Sequence, residues 1–317
     1  MLSVLGAINW DISVFEERFA RAGEEVPVTR VEEFSGGKGA NVAVASARVL
    51  GKGAVAYLGA LGDDTIRSRQ LAELAAEGVV LDGLVRIEGC QSGRAYIIID
   101  AQGRKTIHTH FGANSKITPR HIQRGGCAEV IGKTGMIVVM DPPVPVAIAA
   151  AKAAQRSGAK VIYSPGVRTQ GGARALEGIM RMADFLVVDR IELMNLEEGE
   201  TEEGILAMLS RGHPGMTVVV TLGSSGCMVA TAEGTTRIPG ISVSSFGAKV
   251  LNTTGCGDAF LGVFASYLHM GSTALEAARW ANLAGAIKAT RLETRGSPKR
   301  RDLERVMQGI ETKSKKA

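Results

Sequence analysis

The most constraining feature of this chain is the regular alternation of short apolar segments with longer segments of helical periodicity. Short apolar runs bounded by turn residues predict buried strands, and apolar residues repeated every three or four positions predict amphipathic helices. The first strand predicted in this way is 2–8, which ends at a polar triplet at residues 9–11. The strands predicted after residue 119 are 136–140, 160–163, 185–188 and 216–221, and two Ala-rich helices are predicted at about 257–270 and 273–290. Because strands that alternate with helices form βαβ units, the sequence predicts an α/β fold with a mostly parallel central sheet.

One part of the chain interrupts this alternation. Three strand-like segments follow one another between residues 81 and 111 without an intervening helix, and residues 100–103 have the composition of a hairpin turn. This pattern predicts antiparallel sheet inserted into an otherwise alternating chain. Together with a strand at 26–34, it predicts a small separate lobe that forms a lid on a single domain spanning residues 1–317.

Charge and cysteine content exclude several classes of function. The net charge is +5, and the lysines near the end of the chain have no aromatic residues between them, so we expect a solvated tail and no nucleic-acid partner. The four cysteines have neither metal-ligand spacing nor the density of a secreted disulfide scaffold. No apolar stretch reaches the ~18 residues of a membrane span, so we expect no membrane partner and a cytoplasmic location.

The strongest chemical motif is the run 252–258, which ends at Asp258 and leads into a predicted helix. Gly255, Cys256 and Gly257 present backbone N–H groups at the start of that helix, where the helix dipole favours an anion such as a phosphate. A carboxylate in the first helical turn can accept the proton of a hydroxyl that attacks a bound phosphoryl group. An ordinary helix start with an acidic first turn is the alternative for this segment alone.

A glycine-rich run at residues 36–41 opens an earlier predicted helix. The glycines let a polyhydroxylated ligand approach the backbone, and Lys38 and Asn41 offer hydrogen-bond donors. The spacing is not that of a Walker P-loop, and the first strand lacks the GxGxxG pattern of dinucleotide-binding folds. By itself, this motif is also compatible with a common turn before a helix.

Two weaker motifs have the composition of phosphate and metal sites. Asn195 and Glu198 are three residues apart, so on a helix they would share one face and could hold Mg²⁺ through water molecules. Residues 221–226 follow a predicted strand and form a glycine- and serine-rich loop that could cradle nucleotide phosphates. A solvated polar helix face and an ordinary turn are the respective alternatives.

Together and in this order, these motifs resemble the ribokinase family, also called the phosphofructokinase-B (PfkB) group of sugar kinases, from the first strand to about residue 298. The resemblance implies a ribokinase-like three-layer α/β/α domain with a small antiparallel β-sheet lid. It also implies ATP as phosphoryl donor, Mg²⁺ as cofactor, Asp258 as catalytic base, and the amides of Gly255, Cys256 and Gly257 as the anion hole.

The resemblance further assigns residues to three kinds of contact. The residues implied to bind sugar hydroxyls are Asn9, Asp11, Gly37, Lys38 and Asn41. The residues implied to bind the nucleotide are Asn195, Thr221, Gly223, Gly226 and Asn282. Glu198 is implied to hold Mg²⁺ through water.

Several residues depart from the family pattern. Asn252 stands where the family usually has an aspartate that helps to hold a monovalent cation, so the amide is a weaker candidate ligand and activation by K⁺ is an open question. Asp141 follows a strand at which the family carries a glutamate that contacts the sugar, and it is therefore a candidate sugar ligand. Arg94 and Arg104 on the lid strands would suit a phosphate better than a hydroxyl, unless they lie on the outer face of the lid.

The motifs and the resemblance lead to the hypothesis of an ATP-dependent sugar kinase that phosphorylates a hydroxymethyl or other hydroxyl group of a small sugar, with ribose favoured. A nucleoside or sugar-phosphate kinase on the same scaffold is the main alternative, with Trp10 as a candidate shelf for a base. A non-catalytic sugar-binding protein is the third. The run 96–99 is apolar on both faces of the lid sheet, which predicts a homodimer formed through the lid.

Overall fold

Two β-sheets organise the protein, whose computed structural model describes residues 1–197 and 201–314. The strands of the described residues are β1 (Leu2–Gly6), β2 (Asn9–Glu16), β3 (Val28–Gly36), β4 (Val55–Leu61), β5 (Val80–Arg86), β6 (Gly93–Ile99), β7 (Lys105–His110), β8 (Met136–Met140), β9 (Lys160–Ser164), β10 (Phe185–Asp189), β11 (Thr217–Thr221), β12 (Gly226–Thr231) and β13 (Gly234–Pro239).

Helices connect most of the strands. The helices of the described residues are α1 (Lys38–Leu50), α2 (Thr65–Ala76), α3 (Pro119–Ile122), α4 (Gly125–Gly132), α5 (Val144–Arg156), α6 (Gly172–Met180), α7 (Arg190–Met194), α8 (Glu202–Gly212), α9 (Cys256–His269), α10 (Ala274–Ala289) and α11 (Arg300–Ser314). Among the described residues, no helix is long and apolar enough to cross a membrane.

The large sheet has nine strands in the order β13-β12-β11-β10-β9-β8-β1-β4-β5. The seven strands from β11 to β5 are parallel, and β12 and β13 add an antiparallel edge. Strands β1, β4 and β8 are buried along their whole length, as expected for parallel strands with helices on both faces. The predicted mostly parallel sheet is confirmed.

Two hydrophobic clusters separate the sheet from its helices. One contains residues of α1, α2, α9, α10 and α11, and the other contains residues of α4, α5, α6 and α8. The sheet therefore lies between two helical layers, and the predicted three-layer α/β/α fold is confirmed. The helices predicted at about 257–270 and 273–290 correspond to α9 and α10.

The small sheet has the strand order β3-β2-β6-β7. Its outer pairings, β2 with β3 and β6 with β7, are antiparallel, and β2 pairs with β6 in parallel. Two strand assignments from the sequence were wrong. The segment 81–87 belongs to the edge of the large sheet, where β5 pairs with β4, and the polar triplet at residues 9–11 does not end a strand but begins β2.

The carboxyl ends of the parallel strands face the small sheet across a cleft. Strand β1 ends at Gly6, three residues before β2 begins, so the chain passes directly from the large sheet into the small one. The ends of β8, β10 and β11 open towards the same side. Ligands of open α/β sheets bind at this edge, because loops there carry side chains into a crevice.

Candidate active site

Two adjacent cavities occupy this cleft and meet at the start of α9. The first has a volume of about 490 Å³ and lies between the two sheets, whereas the second, of about 590 Å³, lies between the end of β11, the loop after β13, α9 and α10. Both are lined by Thr221 and Gly257. Two ligands bound in these cavities would therefore approach each other at the N-terminus of α9.

Asp258 lies at this junction, in the first turn of α9. Its side chain is only 9% exposed, and Asn41 donates a hydrogen bond from Nδ2 to Asp258 Oδ2 at 2.8 Å. Burial raises the pKa of Asp258, while the Asn41 hydrogen bond and the positive charges of Lys38 and Lys288 oppose that rise. A carboxylate with a raised pKa, facing the first cavity, is suited to accept a proton from a bound hydroxyl.

The backbone before α9 has the conformation expected of an anion site. Gly255 is the N-cap residue with φ of 84°, and a Cβ there would lie 2.3 Å from Thr294 O, so only glycine fits. Gly255 and Gly257 line the first cavity. Cys256 differs from its two neighbours, because its N–H donates to Thr253 O at 3.2 Å and the residue lines the second cavity but not the first.

The five residues predicted to bind sugar all line the first cavity. Asn9 and Asp11 alternate on β2 and face the same side, because side chains two apart on a strand share a face. Gly37 is the N-cap of α1 with φ of 89°, and a Cβ there would lie 2.5 Å from the backbone nitrogen of Asn9. Lys38 and Asn41 follow in the first turn of α1.

Asp11 is the second buried carboxyl group of the first cavity. It is 5% exposed, and burial raises its pKa to about 7, with Arg295 lowering that pKa and Asp258 raising it. Arg295 also donates to Asn41 Oδ1 at 3.2 Å and to Gly36 O at 2.9 Å. Arg295 was not predicted from the sequence, because its partners are more than 220 residues away along the chain and it belongs to no motif.

Lys38 pairs with Glu192, a second site residue that was not predicted from the sequence. Its Nζ lies 3.7 Å from Glu192 Oε1. Partial burial lowers the pKa of Lys38, but the carboxylates of Glu192 and Asp258 outweigh it and hold that pKa above its ordinary value. Glu192 belongs to a capping box with Asp189 at the start of α7, and the Asp-x-x-Glu spacing was the available sequence signal.

Asp141 is outside the first cavity. It follows β8 with φ of 55°, and its Oδ1 lies 3.2 Å from Arg168 Nε in a separate small cavity. Burial raises its pKa to about 6, against the opposing charges of Lys38 and Arg168. Its carboxylate is thus engaged by Arg168, a partner that the sequence did not indicate.

The residues predicted to bind the nucleotide separate into two groups. Thr221, Gly223, Gly226 and Asn282 line the second cavity. Asn195 lies outside both cavities and donates to Thr169 Oγ1 at 3.4 Å. The prediction of a helix face shared by Asn195 and Glu198 was wrong for Asn195, because α7 ends at Met194 and a turn follows; Glu198 lies outside the described residues.

Asn252 uses both ends of its side-chain amide to hold neighbouring loops. Its Oδ1 accepts from the N–H of Thr254 at 2.9 Å, and its Nδ2 donates to Leu292 O at 2.7 Å. Its backbone carbonyl accepts a hydrogen bond from Lys288 Nζ at 3.0 Å. The side chain of Asn252 therefore links two segments of the protein, and its backbone carbonyl accepts from the ammonium group of Lys288.

Three lid residues that the sequence singled out are engaged away from the first cavity. Arg94 donates to Gln91 Oε1 and lies 3.8 Å from a carboxylate oxygen of Asp64. Arg104 pairs with Asp100 in the hairpin turn. Trp10 is 8% exposed, alternates with Asn9 and Asp11 on β2, and donates its indole N–H to Glu33, so it offers no shelf inside the cavity.

A buried carboxylate beside a helix N-terminus, with one cavity on each side, has the arrangement of an enzyme that transfers a phosphoryl group to an alcohol. The chain belongs to the pfkB family of carbohydrate kinases, whose family model matches residues 1–300. The comparison bears out the resemblance inferred from the sequence motifs. The protein is accordingly a phosphotransferase with an alcohol group as acceptor.

Two similar proteins are named as kinases of ribose or of ribose 1-phosphate, in agreement with this assignment. The chain is 31% identical to the bifunctional ribokinase/ribose-5-phosphate isomerase A of Fructilactobacillus sanfranciscensis, covering 84% of this chain and 48% of that relative, so it spans about half of the relative's length. It is 29% identical to the ATP-dependent ribose-1-phosphate kinase of Halopiger xanaduensis over 94% of this chain and 95% of that one.

Among solved structures, the chain resembles Arabidopsis thaliana ribokinase complexed with ribose and ATP. The TM-score is 0.84 at 26% identity, with 96% of this chain and 98% of that chain covered.

Proposed function

We propose that this protein is an ATP-dependent kinase that phosphorylates the hydroxymethyl group of a small sugar, with ribose as the favoured acceptor. The observation that carries the proposal is the position of Asp258 at the junction of two cavities, beside the N-terminus of α9. The first cavity would hold the sugar and the second the nucleotide. Similarity to a ribokinase complexed with ribose and ATP supports both assignments.

The reaction follows from this arrangement. The sugar hydroxyl gives its proton to the Asp258 carboxylate while its oxygen forms a bond to the γ-phosphorus of ATP, and the bond between that phosphorus and the β,γ-bridging oxygen breaks to release ADP. The N-terminus of α9, with Gly255 and Gly257, stabilises the negative charge of the transferring group. Asn41 orients Asp258 through its 2.8 Å hydrogen bond.

The proposal includes Mg²⁺ as cofactor, because two carboxylates of the first cavity are suitable ligands for it. Mg²⁺ favours one or two carboxylates combined with phosphate oxygens and waters, and Asp189 and Glu192 both line the first cavity near the junction. When bound, Mg²⁺ would neutralise charge on the ATP phosphates. Among the described residues, no cluster of three or more acidic, histidine or cysteine side chains could hold a metal by itself.

The sugar assignment predicts a preference for a furanose with free 2- and 3-hydroxyls. Asn9, Asp11 and Asn41 offer both donors and acceptors, and a deoxy sugar would leave buried polar groups unpaired at a cost of about 1–3 kcal/mol each. The test is a screen of sugars, nucleosides and sugar phosphates with ATP and Mg²⁺. We expect ribose to exceed 2-deoxyribose by about tenfold or more in kcat/KM. If the protein phosphorylates none of these acceptors, the result contradicts the proposal.

A sugar phosphate is the second candidate acceptor, and one observation favours it. Lys38 and Lys105 both line the first cavity, and together they could neutralise a phosphate on the substrate. A relative named as a ribose-1-phosphate kinase supports this candidate. If Lys105 grips such a phosphate, K105M would raise KM for ribose-1-phosphate far more than for ribose. A nucleoside is less favoured, because Trp10 is directed away from the cavity.

Two further parts of the proposal concern assembly and location. We infer a homodimer formed through the small sheet, because the face of that sheet opposite the cavity carries exposed apolar side chains. A cytoplasmic location is consistent with ATP as donor and with four cysteines that are all free thiols. Sedimentation and cell fractionation test these two statements.

A further inference from the structure

Lys288 is a buried lysine that none of the roles above uses. It lies near the end of α10, and its side chain is fully buried. Its Nζ donates to the backbone carbonyls of Asn252 at 3.0 Å and of Arg291 at 3.3 Å. One of these carbonyls precedes α9 and the other follows α10, so the ammonium group joins the two loops from inside.

The ammonium group lies directly behind the start of α9. A Cβ built on Gly255 would lie 3.5 Å from Lys288 Cε, which places the lysine stem against the backbone of the anion site. The N–H groups of Leu251 and Asn252 both donate to Ala289 O, the residue next to Lys288. The loop that leads to Asp258 is therefore fixed to the end of α10 at the position of this lysine.

Stability alone does not require a positive charge at this position. A buried ammonium group loses its hydration, and apolar residues of similar volume often serve as well or better in a protein interior. Among the described residues, no carboxylate lies within ion-pair distance of Lys288, and carbonyl dipoles are its observed partners. The charge instead acts on the candidate active site, because it lowers the pKa of the Asp258 carboxyl, and that of the neighbouring Cys256 thiol, against the effect of their burial.

We propose that the Lys288 ammonium group is a built-in cation, held by the carbonyls of Asn252 and Arg291, that supports the anion site and removes the need for a free monovalent cation there. The proposal rests on the phosphoryl-transfer function above. The negative charge of the transferring phosphoryl group is gathered at the N-terminus of α9, and a fixed cation behind that N-terminus stabilises it without reorganisation. Lys288 is thus a positioning and electrostatic residue rather than a catalytic one.

The first test compares wild-type activity in K⁺ with activity in tetramethylammonium at equal ionic strength. We expect kcat values within about twofold of each other, because a tethered ammonium already supplies the charge. Stimulation of the wild type by K⁺ of about tenfold or more would overturn the proposal.

The second test removes the charge. K288M keeps the length of the side chain, and we expect kcat to fall by about tenfold or more with a smaller change in KM, since the charge acts mainly on the transition state. The matched control is R279M, which removes a positive charge from an exposed position of the same helix, and it should retain wild-type kcat. K288M with wild-type kcat would contradict the proposal.

The third test restores the cation. K288A leaves space between the two carbonyls, and we expect K⁺ or ammonium, but not tetramethylammonium, to raise both its kcat and its melting temperature relative to the same variant without them. Failure of every small cation to change either quantity would overturn the proposal. The melting temperature needs no substrate, so this outcome is separate from the acceptor screen, which tests the function itself.

Discussion

Asp258 is subject to two opposing requirements. It must be ionised to accept a proton, yet it is almost fully buried, and burial favours its neutral form. The hydrogen bond from Asn41 and the charges of Lys38, Lys288 and Arg295 keep the ionised form accessible. The same burial makes the carboxylate a stronger base than it would be in water, which suits proton abstraction near neutral pH.

Replacement of Asp258 by asparagine tests the catalytic assignment. Asparagine has nearly the same shape and can still accept the hydrogen bond from Asn41, but it cannot take up a proton. We expect kcat to fall by about 10²–10⁴-fold, while the dissociation constants of ATP and sugar, measured by calorimetry, change little. A variant that retained more than about a tenth of wild-type kcat would remove Asp258 from the role of general base.

Asp11 is expected to reduce the stability of the folded protein at neutral pH. Its pKa is about 7 in the folded state, against 3.8 for the ordinary side chain. Between pH 4 and about pH 7 the folded state retains a proton that the unfolded state has lost, so this residue makes stability fall as the pH rises. D11N should therefore be more stable than the wild type at pH 8, with a smaller difference at pH 5.

The same variant should bind sugar less well. Asparagine replaces one carboxylate oxygen by an amino group and removes the charge, so a sugar hydroxyl loses a charged acceptor, and we expect KM to rise by about tenfold. Denaturant unfolding at the two pH values measures the first effect, and kinetics measure the second. D64N is a control in which the effect on stability should have the opposite sign. Hydrogen bonds lower the pKa of Asp64 despite its partial burial, so this variant should be less stable than the wild type at pH 8. A D11N protein less stable than the wild type at pH 8 would contradict the argument.

At the scale of single elements, strand β2 shows what the sequence contained and what was missed. Polar Asn9, Asp11 and Ser13 alternate with apolar Trp10, Ile12 and Val14, which is the period of a strand with one face towards a ligand. The polar start of this run predicts the end of the first strand, whereas in the structure it begins β2. The assignment of β5 could not have been made from its own residues, because only pairing with β4, far along the chain, decides its sheet.

The site shows the same division between local and distant information. The start of α9 and the start of α1 were predicted from short motifs, since glycine conformation and helix polarity are local properties. Arg295, Glu192 and Lys288 act through partners brought near by the fold, and no sequence periodicity records such contacts. The family resemblance makes Asp141 a candidate sugar ligand, whereas its partner Arg168 could be found only in three dimensions.

A hydrogen bond between β7 and the loop before α9 links the small sheet to the catalytic region. Lys105 Nζ donates to Thr254 Oγ1 at 2.9 Å, and both residues line the first cavity. This contact would hold the lid over a bound sugar. We expect K105M and T254V each to raise KM for the sugar by about fivefold, which corresponds to about 1 kcal/mol.

A double-mutant cycle tests whether loss of the hydrogen bond between Lys105 and Thr254 causes the rise in KM. If the two side chains act through each other, the variant carrying both substitutions should have nearly the KM of either alone, because the second change removes nothing further. K116M, at an exposed lysine outside both cavities, is the matched control and should leave KM unchanged. Additive effects of K105M and T254V on KM would show that the two residues act independently.

At the scale of the whole molecule, the final segment of the chain differs from its expectation. The basic end of the chain is expected to be a solvated tail, but residues 300–314 form α11. Leu303 is fully buried in the core together with residues of α1 and α10. A basic composition describes the exposed face of such a helix, and a single buried leucine was too weak a signal to predict its packing.

One face of the small sheet lines the first cavity, and the other face is exposed to solvent. Ala95 and Ile97 line the cavity, whereas Tyr96 on the opposite face is 38% exposed. Val31 of β3 pairs with Val14 on that same outer face and is 55% exposed. A sheet with apolar residues on both faces is stable in water when a partner covers the outer face, which argues for a dimer through this surface.

Substitution on this outer face tests the dimer. A stable interface buries roughly 800 Å² on each partner and excludes unpaired charges from its centre, so we expect V31K to convert the protein into a monomer. Sedimentation equilibrium at micromolar concentration should give a mass near twice that of the 33.2 kDa chain for the wild type and near that of one chain for V31K. The control is L275K, which places the same charge on an exposed leucine of α10, away from the small sheet, and should remain dimeric. A monomeric wild type, or a V31K protein that stays dimeric, would show that the outer face of the small sheet is not the interface.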